Sequence, residues 1–362
     1  MSKVYFSDMR TPRGSLPKKL RRLIDLAGLG TMDLENKFVA IKVHFGEPGN
    51  LAFLRPNWAK VVADYVAERG GIPFLTDCNT LYVGRRKHAI EHITSAYENG
   101  FTPFSTGCHV IIADGLKGTD EAIVPMNGDY VKEAKIGQAI YDADVIISLS
   151  HFKGHEEAGF GGALKNIGMG CGSRAGKMEM HSAGKPYIDQ ELCVGCGRCA
   201  PDCAHDAILI ENKKARMDTD KCLGCGHCIG LCNQNAIKPA NDEAFDILNR
   251  KIAEYTYAVL KDKPAFHIAL AIDVSPNCDC WGKNDVPIVP DVGMFASFDP
   301  IALDQACADK VNAAPAMPDS AAACSCGGDH FTYIHPESCW QEQLIHGEKL
   351  GLGQREYELV EV

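Results

Sequence analysis

Residues 144–171 read DVIISLSHFKGHEEAGFGGALKNIGMGC. The first eight, Asp144 to His151, are mostly apolar and β-branched, which predicts a buried strand. The remainder is rich in Gly, His and Lys, and its GFGGALKN portion has the form of a Gly-rich turn that leads into a helix. A strand followed by a turn and a helix is the repeating unit of α/β folds.

The same alternation of strands and helices extends through most of the chain. Further apolar runs predict strands at residues 38–45, 72–77, 109–114, 266–274 and 288–297. Amphipathic patterns predict helices at residues 17–27, 57–70, 85–100, 242–263 and 299–312. Asp299 is a natural N-cap for the last helix, with Pro300 at its first position. The expected fold class is α/β, with a mostly parallel sheet and helices on both faces.

A cysteine-rich block interrupts this pattern. Residues 193–203 read CVGCGRCAPDC and residues 222–232 read CLGCGHCIGLC, so C-x2-C-x2-C-x3-C occurs twice at an offset of 29 residues. This is the spacing of bacterial two-cluster ferredoxins, in which the fourth Cys of each run binds the other cluster. By that rule one 4Fe–4S cluster is held by Cys193, Cys196, Cys199 and Cys232, and the second by Cys222, Cys225, Cys228 and Cys203.

Two features of the block bear on this prediction. The Pro that usually follows the fourth Cys is replaced by Ala204 in one half and by Asn233 in the other, but every ligand is present. A zinc site would use four ligands per ion and does not explain eight Cys in two quartets. The predicted organisation is therefore an α/β domain at 1–184 and 241–362, interrupted at 185–240 by a small ferredoxin-like α+β domain.

Charge and composition exclude several classes of protein. The 362 residues carry a formal net charge of −10, whereas nucleic-acid and anionic-membrane binders need a basic face. The N-terminus lacks the apolar core of a secretory signal, and no run of apolar residues is long enough to span a membrane. We therefore expect a cytoplasmic protein in which the clustered thiols among its 17 Cys bind metal and do not form disulfides.

Motifs along nearly the whole chain resemble one known family. They are VHFGEPGN, LTDCNTLYVGRR, IIADG, HFKGHEEAGFGGALKN with MGC, NCDCW, DVGMFASFDPIALD and the terminal GEKLGLG and YEL. Together with the ferredoxin block they resemble the iron–sulfur proteins of domain-of-unknown-function family three-sixty-two. The resemblance implies the same interrupted α/β domain and no assigned reaction.

A candidate catalytic site begins where the strand at residues 144–151 ends, because open α/β sheets bind ligands at the carboxyl ends of their strands. The predicted catalytic residues are His151, Lys153, His155 and Lys165. The N–H groups at the start of the following helix would face an anion, and the His side chains could shuttle protons or bind metal. This favours an anionic or carbonyl-bearing substrate. The alternative is that the glycines permit close packing and the His satisfy buried backbone groups.

Weaker candidates follow other strands of the predicted sheet. His44, Glu47, Asp77 and Asn79 could line the same cleft, and Arg85 and Arg86 could bind anions or begin a solvated helix. Asp299 and Asp304 are expected to be a helix cap and a supporting acid. No dinucleotide-binding G-x-G-x-x-G follows a predicted strand, and no phosphate-binding Walker A motif is present, which disfavours nicotinamide and ATP. The absence of these motifs does not exclude flavin.

A third metal centre is the boldest expectation. Cys278 and Cys280 follow a predicted strand, and in an extended segment residues i and i+2 point to the same side. Together with Cys171 and one of the His they could bind zinc, iron or copper. One alternative is a pair of redox thiols, with Cys324 and Cys326 as a second pair. The other is that these Cys are inert and buried.

These features predict a redox protein. The leading hypothesis is a reductase that passes electrons through two 4Fe–4S clusters to a substrate or metal centre in the α/β cleft. The alternative is a non-catalytic electron carrier or accessory subunit that serves a redox partner protein, since an acidic surface suits a basic partner. A redox sensor or a metal-centre assembly factor is a third possibility. Oligomeric state has no signal in the sequence.

Overall fold

The computed structural model describes residues 1–82, 84–181, 185–203, 205–222, 224, 226–239, 244–325 and 328–362, and of residues 227, 230 and 239 the backbone only. The strands are β1 (Ser2–Ser7), β2 (Phe38–Lys42), β3 (Ile72–Asp77), β4 (His109–Ile112), β5 (Glu121–Pro125), β6 (Glu133–Gly137), β7 (Val145–His151), β8 (Lys153–His155), β9 (Gly159–Gly161), β10 (Pro186–Ile188), β11 (Ile208–Glu211), β12 (Lys214–Met217), β13 (Ile237–Pro239), β14 (Ala265–Ala271), β15 (Gly293–Ser297) and β16 (Tyr357–Glu361).

The helices follow the same chain order. They are α1 (Leu16–Leu26), α2 (Pro56–Ala67), α3 (Ala89–Glu98), α4 (Pro103–Thr106), α5 (Gln138–Asp142), α6 (Ala163–Cys171), α7 (Arg174–His181), α8 (His227–Leu231), α9 (Phe245–Leu260), α10 (Pro300–Ala313), α11 (His330–Ile334) and α12 (Gln341–Lys349). Within the described ranges, no helix combines the length and apolarity that crossing a bilayer requires.

An eight-stranded sheet forms the centre of the molecule, in the order β16-β1-β15-β14-β7-β2-β3-β4. Every neighbouring pair in it is parallel except the two that involve β15. The predicted α/β class with a mostly parallel sheet is therefore confirmed. The strands β1 and β16 were not predicted, and they place both chain ends at one edge of the sheet.

Helices cover both faces of the sheet. Ile147 and Leu149 of β7 point into a hydrophobic cluster that contains buried residues of α1, α2 and α3. Ile146, one residue along the same strand, points into a second cluster with α6 and α9. Because successive strand residues face opposite sides, each apolar strand serves two cores. This explains why the strands read as continuous apolar runs.

Some strands are shorter than their apolar runs. The predicted strand at 38–45 ends at Lys42, although Val43 and Phe45 are fully buried. The predicted strand at 266–274 similarly ends at Ala271, and Val274 is buried beyond it. An apolar run indicates that its residues are buried, and it does not distinguish a strand from the buried loop that follows it. The strands were therefore predicted too long.

The cysteine-rich segment has an internal two-fold pairing. Its first strand, β10, pairs with its last, β13, and the two middle strands, β11 and β12, pair with each other. Each half therefore supplies one strand to each two-stranded sheet. The hydrogen bonds repeat as well, since Asp189 N donates to Ala236 O and Asp218 N donates to Ala207 O, both at 2.7 Å. The duplication in sequence is thus a duplication in structure, while the insert boundaries 185 and 240 stay a prediction.

Candidate functional site

A cleft of about 300 Å³ lies at the carboxyl ends of the central strands β2, β3, β7 and β14. This is the edge at which open α/β sheets hold their ligands. The four residues predicted to be catalytic line it together with two of the predicted thiol ligands, namely His151, Lys153, His155, Lys165, Cys278 and Cys280. The structure therefore brings these six predicted residues into one cleft.

Two cations of the cleft are already paired with carboxylates. Lys42 Nζ lies 3.0 Å from Asp77 Oδ1, and the two side chains are 1% and 4% exposed. Burial raises the pKa of Asp77, but Lys42 and the other nearby basic side chains together lower it below its usual range. Arg86 Nε lies 2.7 Å from Glu47 Oε2 in a second buried pair. The positive charges of Lys42 and Arg86 are therefore balanced by carboxylates of the chain itself.

The weaker candidates have structural partners. His44 Nδ1 accepts a hydrogen bond from Gly46 N, and its Nε2 faces Arg86 Nη1 at 2.9 Å. Burial and the Arg86 charge lower the pKa of His44 to about 3. Asn79 donates to Asp114, away from the cleft, and Arg85 pairs with Glu98 at the surface. This surface contact agrees with the alternative expected for Arg85, a solvent-exposed residue near the start of a helix.

His151 is fixed by both of its ring nitrogens. Nδ1 lies 2.7 Å from Asp279 Oδ2, and Nε2 lies 2.7 Å from the carbonyl oxygen of Ile272. Neither nitrogen therefore faces a ligand, and the predicted proton-shuttle or metal role has no support in this geometry. Asp279 lies between Cys278 and Cys280, so His151 instead anchors the segment that carries both thiols.

A turn, and not extended backbone, brings the two thiols together. Trp281 N donates to Cys278 O at 3.2 Å, which closes a turn across residues 278–281. Inside it, Cys280 N donates to Cys278 Sγ at 3.4 Å. The extended geometry expected for this C-x-C was wrong, because β14 already ends at Ala271. The expected proximity of the two thiols is nevertheless found.

His155 lies beside the thiol pair. A ligand atom of His155 and the sulfurs of Cys278 and Cys280 all lie within 4.8 Å of one another. Its Nδ1 accepts hydrogen bonds from the backbone of Glu157 at 3.2 Å and of Ala158 at 3.1 Å. This network assigns the proton of the neutral ring to Nε2.

The hydrogen bond between the two thiols shifts their pKa values in opposite directions. The hydrogen bond from the Cys280 thiol lowers the pKa of Cys278 despite its burial, and Lys153 and Lys165 act in the same direction. The same hydrogen bond, with burial, raises the pKa of Cys280. Lys153 is buried and Lys165 is half-buried, so the cleft places two ammonium groups near the thiol pair.

The helix that follows the Gly-rich turn does not present its N-terminus to a ligand. Asp304 on α10 accepts hydrogen bonds from Ala163 N at 2.7 Å and from Leu164 N at 2.9 Å. The anion expected at this helix start is therefore a carboxylate of the chain itself. Gly162 is needed here, because a Cβ at this position would lie 2.3 Å from Asp304 Oδ1.

Cys171 lies apart from the other two predicted metal ligands. Its side chain is fully buried in the hydrophobic cluster of α6 and α9. The neighbouring Cys78 thiol donates to its carbonyl oxygen at 3.4 Å, and burial raises the pKa of Cys171 to about 12. The structure thus places it among core residues, which matches the inert alternative.

Four of the eight predicted cluster ligands line one hollow in the cysteine-rich segment, namely Cys193, Cys196, Cys199 and Cys232. Backbone amides point at the sulfurs: Ala215 N donates to Cys193 Sγ and Ala236 N donates to Cys232 Sγ, each at 3.3 Å. Ala207 N makes the equivalent bond to Cys203 in the other half. Amides directed at sulfur stabilise thiolates and tune iron–sulfur sites.

The second predicted quartet is described in part. Cys203, Cys222 and Cys228 are half-buried thiols of the segment, while Cys225 lies outside the described residues. Cys326 of the second C-x-C lies outside them as well, and its partner Cys324 is exposed.

One wall separates the cysteine-rich segment from the cleft. Leu81 packs with Cys193 and Cys199 in the hydrophobic cluster of the segment, and it also lines the cleft. Met178 of α7 packs in the same cluster, while Lys177 and His181 of that helix line the cleft. The hydrophobic cluster of the cysteine-rich segment therefore borders the cleft, and Leu81 belongs to both.

Sequence reasoning missed the polar groups on this wall. Tyr82 OH lies 3.0 Å from His181 Nδ1, and Glu157 Oε2 lies 3.2 Å from the same nitrogen. Lys177 Nζ donates to Gly172 O at 2.6 Å, and the structure brings it to the cleft as well. A helical pattern for residues 174–181 would have placed Lys177 and His181 on one face, four residues apart.

Comparison with known proteins confirms the family that the sequence resembles. Residues 39–309 match the family model described as a domain of unknown function, DUF362. A thylakoid-associated protein of Synechocystis sp. is 28% identical over 165 residues, which are 44% of this chain and 46% of that protein. The chain therefore covers less than half of that relative.

Two solved structures match this chain at low identity. A Thermotoga maritima protein is 13% identical with a TM-score of 0.40, over 78% of this chain and 55% of that one. The lactate racemase apoprotein of Thermoanaerobacterium thermosaccharolyticum is 12% identical with a TM-score of 0.39, over 75% of this chain and 51% of that one. The chain spans about half the length of each.

Proposed function

The chain belongs to the family described as a domain of unknown function, DUF362, and from its own residues we propose that it is an iron–sulfur reductase. Electrons would enter at the cysteine-rich segment and leave to an anionic substrate bound in the cleft. A protein rich in cluster thiolates suits a reducing compartment, so we place it in the cytoplasm.

The cysteine-rich segment fits two 4Fe–4S clusters. One would be held by Cys193, Cys196, Cys199 and Cys232, and the other by Cys222, Cys225, Cys228 and Cys203. The shared hollow of the first quartet and the amides directed at sulfur support this ligand set. Such clusters supply single electrons at potentials from about −700 to +450 mV, depending on their surroundings.

The wall between segment and cleft carries the proposal. Leu81 belongs to the hydrophobic cluster that contains Cys193 and Cys199, and it also lines the cleft. A protein that only carries electrons needs no deep cleft behind its clusters. The position of Lys153 and Lys165 there, close to Cys278, favours an anionic substrate.

The electron carrier is the second candidate, favoured by the net charge of −10. An acidic surface promotes docking to a basic redox partner. The two functions differ in what the cleft does, since a carrier would not depend on Lys153.

Anaerobically purified protein tests the clusters first. We expect about eight irons per chain and visible absorption that dithionite bleaches. Cys196→Ala should remove about half of the iron and leave the signal of the other cluster. Zinc without visible absorption would refute the proposal.

Turnover separates the two functions. Reduced methyl viologen is the donor, and small anionic carbonyl and disulfide compounds are the acceptors. We expect oxidation of the viologen that is lost in Lys153→Ala and kept in Lys60→Ala, which alters a lysine on the exposed surface of α2. Electron transfer to a basic protein that is equal in both variants would favour the carrier.

A further inference from the structure

We propose that Cys278 and Cys280 form a redox-active thiol pair that reduces the disulfide bond of a small anionic substrate in the cleft. The supply of electrons to this pair rests on the proposed function. The exchange between the pair and a disulfide does not.

The geometry of the turn supports a reversible disulfide. The two sulfurs lie within 4.8 Å of each other on a short turn, so side-chain rotation can bring them to bonding distance. Cys278 is buried and Cys280 is half-buried, and both residues line the cleft where a substrate would bind. The turn itself is held in place by the contact of Asp279 with His151.

Strand β8 packs closely against the turn that carries the two thiols. Gly154 N of β8 donates to Ser275 O at 2.9 Å, and a Cβ on Gly154 would lie 2.1 Å from Pro276 O. No other residue could stand at this position without moving the turn. The short glycine-centred strand Lys153–His155 thus serves as a platform for the thiol pair.

His155 argues for thiol chemistry over a metal centre. A His that binds metal usually donates its second ring N–H to an acceptor. Here Nδ1 accepts two backbone N–H groups, so the proton lies on Nε2 and neither nitrogen is bare. An Nε2–H group can instead donate to a sulfur and stabilise the charge that develops there during exchange.

The charges of the cleft define the substrate class. Lys42 and Arg86 are paired with Asp77 and Glu47. Lys153 and Lys165 instead line the cleft beside the thiol pair and outnumber its neighbouring carboxylate Glu156, whose Oε1 accepts from Cys278 N at 3.4 Å. A disulfide with carboxylate ends would place its charges beside the two lysines. A cationic disulfide of equal length would be repelled.

The proposed reaction is a two-step exchange. One sulfur of the pair attacks the substrate RS–SR′ as a thiolate, forms a mixed disulfide and releases RSH after protonation. The second sulfur attacks the first, releases R′SH and closes the Cys278–Cys280 disulfide. Two electrons from the reduced clusters and two protons restore the thiols. The sum is RS–SR′ + 2 e⁻ + 2 H⁺ giving RSH and R′SH.

A matched pair of disulfides tests the proposal. Anaerobic protein is treated with 3,3′-dithiodipropionate, a dianion, or with cystamine, a dication of similar length, and is then alkylated and digested. We expect mass spectrometry to show a disulfide within the peptide that contains residues 278 and 280. It should form at least about tenfold faster with the dianion, and Lys153→Ala and Lys165→Ala should remove the preference.

The controls distinguish the alternatives. Cys280→Ser, at the half-buried position, should abolish the disulfide, whereas Cys339→Ser at an exposed thiol should not. Both thiols alkylated after either treatment would overturn the proposal. Metal that copurifies in stoichiometric amount and is lost in Cys280→Ser would establish a metal centre instead.

Electron supply is measured separately on the same protein. After limiting dithionite, dithiodipropionate should restore the visible absorption of the clusters in the unaltered protein and not in Cys280→Ser. If the peptide disulfide forms but the absorption stays bleached, the thiol pair stands and the proposed electron path from the clusters fails.

Discussion

The buried contact between His151 and Asp279 determines where the two cleft thiols lie. Replacing His151 with Ala leaves a carboxylate buried without its partner, which costs about 3–5 kcal/mol of the free energy of unfolding. We expect Asp279→Ala to destabilise the protein too, and the double variant to lose much less than the sum. Urea unfolding under argon measures this cycle. Additive losses would show that the two side chains do not act together.

Asp304 makes a second prediction at the scale of one residue. Burial raises the pKa of this carboxyl to about 7, although the amides of Ala163 and Leu164 act in the opposite direction. Between about pH 4 and 7 the unfolded chain therefore loses its proton before the folded protein does. The free energy of unfolding should fall as the pH rises through this range.

The matched variant for this effect is Asp304→Asn, which does not titrate. The difference in unfolding free energy between the two proteins should change by a few kcal/mol from pH 4.5 to 7.5, on the order of 1.4 kcal/mol per unit of pKa shift. Denaturant midpoints at both pH values provide the measurement. A difference that is the same at both would contradict the raised pKa.

At the scale of one element, the loop that carries the first cysteine run contains two glycines that can be compared with each other. Gly195 and Gly197 both have positive φ, at 65° and 75°. A Cβ on Gly195 would lie 2.0 Å from Lys213 O, whereas one on Gly197 would meet nothing within 4 Å. Gly195→Ala should therefore displace the loop and remove about half of the iron.

Gly197→Ala is the control for this prediction. It should cost only the strain of a left-handed residue, about 1–2 kcal/mol, and retain the iron. Iron and protein assays on both variants decide the matter. Equal iron in the two would mean that the loop of the first run does not position cluster ligands.

Sequence patterns predicted the elements better than their ends or their contacts. The apolar runs gave the central strands, because burial on both faces of a parallel sheet leaves a local signature. The C-x-C was expected on extended backbone, yet the strand ends at Ala271 and a turn carries both Cys. The helix after the Gly-rich turn was predicted, but the carboxyl group at its N-terminus was not. That group belongs to Asp304, which lies 141 residues away from Ala163. Such distant pairings leave no periodicity to read.

At the scale of the whole molecule, the first and last strands pair with each other at one edge of the large sheet. β16 pairs in parallel with β1, and Ser7 Oγ donates to the carbonyl oxygen of Val362 at 2.8 Å. Removing residues 357–362 would leave the β1 edge unpaired, and an exposed edge strand favours aggregation. We expect the truncated protein to elute as larger species in anaerobic gel filtration. An unchanged monodisperse profile would show that β1 needs no cover.

The pairing of β7 with β14 spans the cysteine-rich segment, and this has a consequence for synthesis on the ribosome. The strands β10 and β13 find each other within the segment, so its fold is available as soon as residue 239 has emerged. The thiols at 278 and 280, the β14 wall and the Asp304 cap are translated later. Because domains fold as their residues emerge, the cysteines proposed to bind iron would meet the cellular cluster-assembly machinery while the cleft still lacks one side. Biogenesis thus separates in time two thiol-rich sites that the finished protein holds side by side.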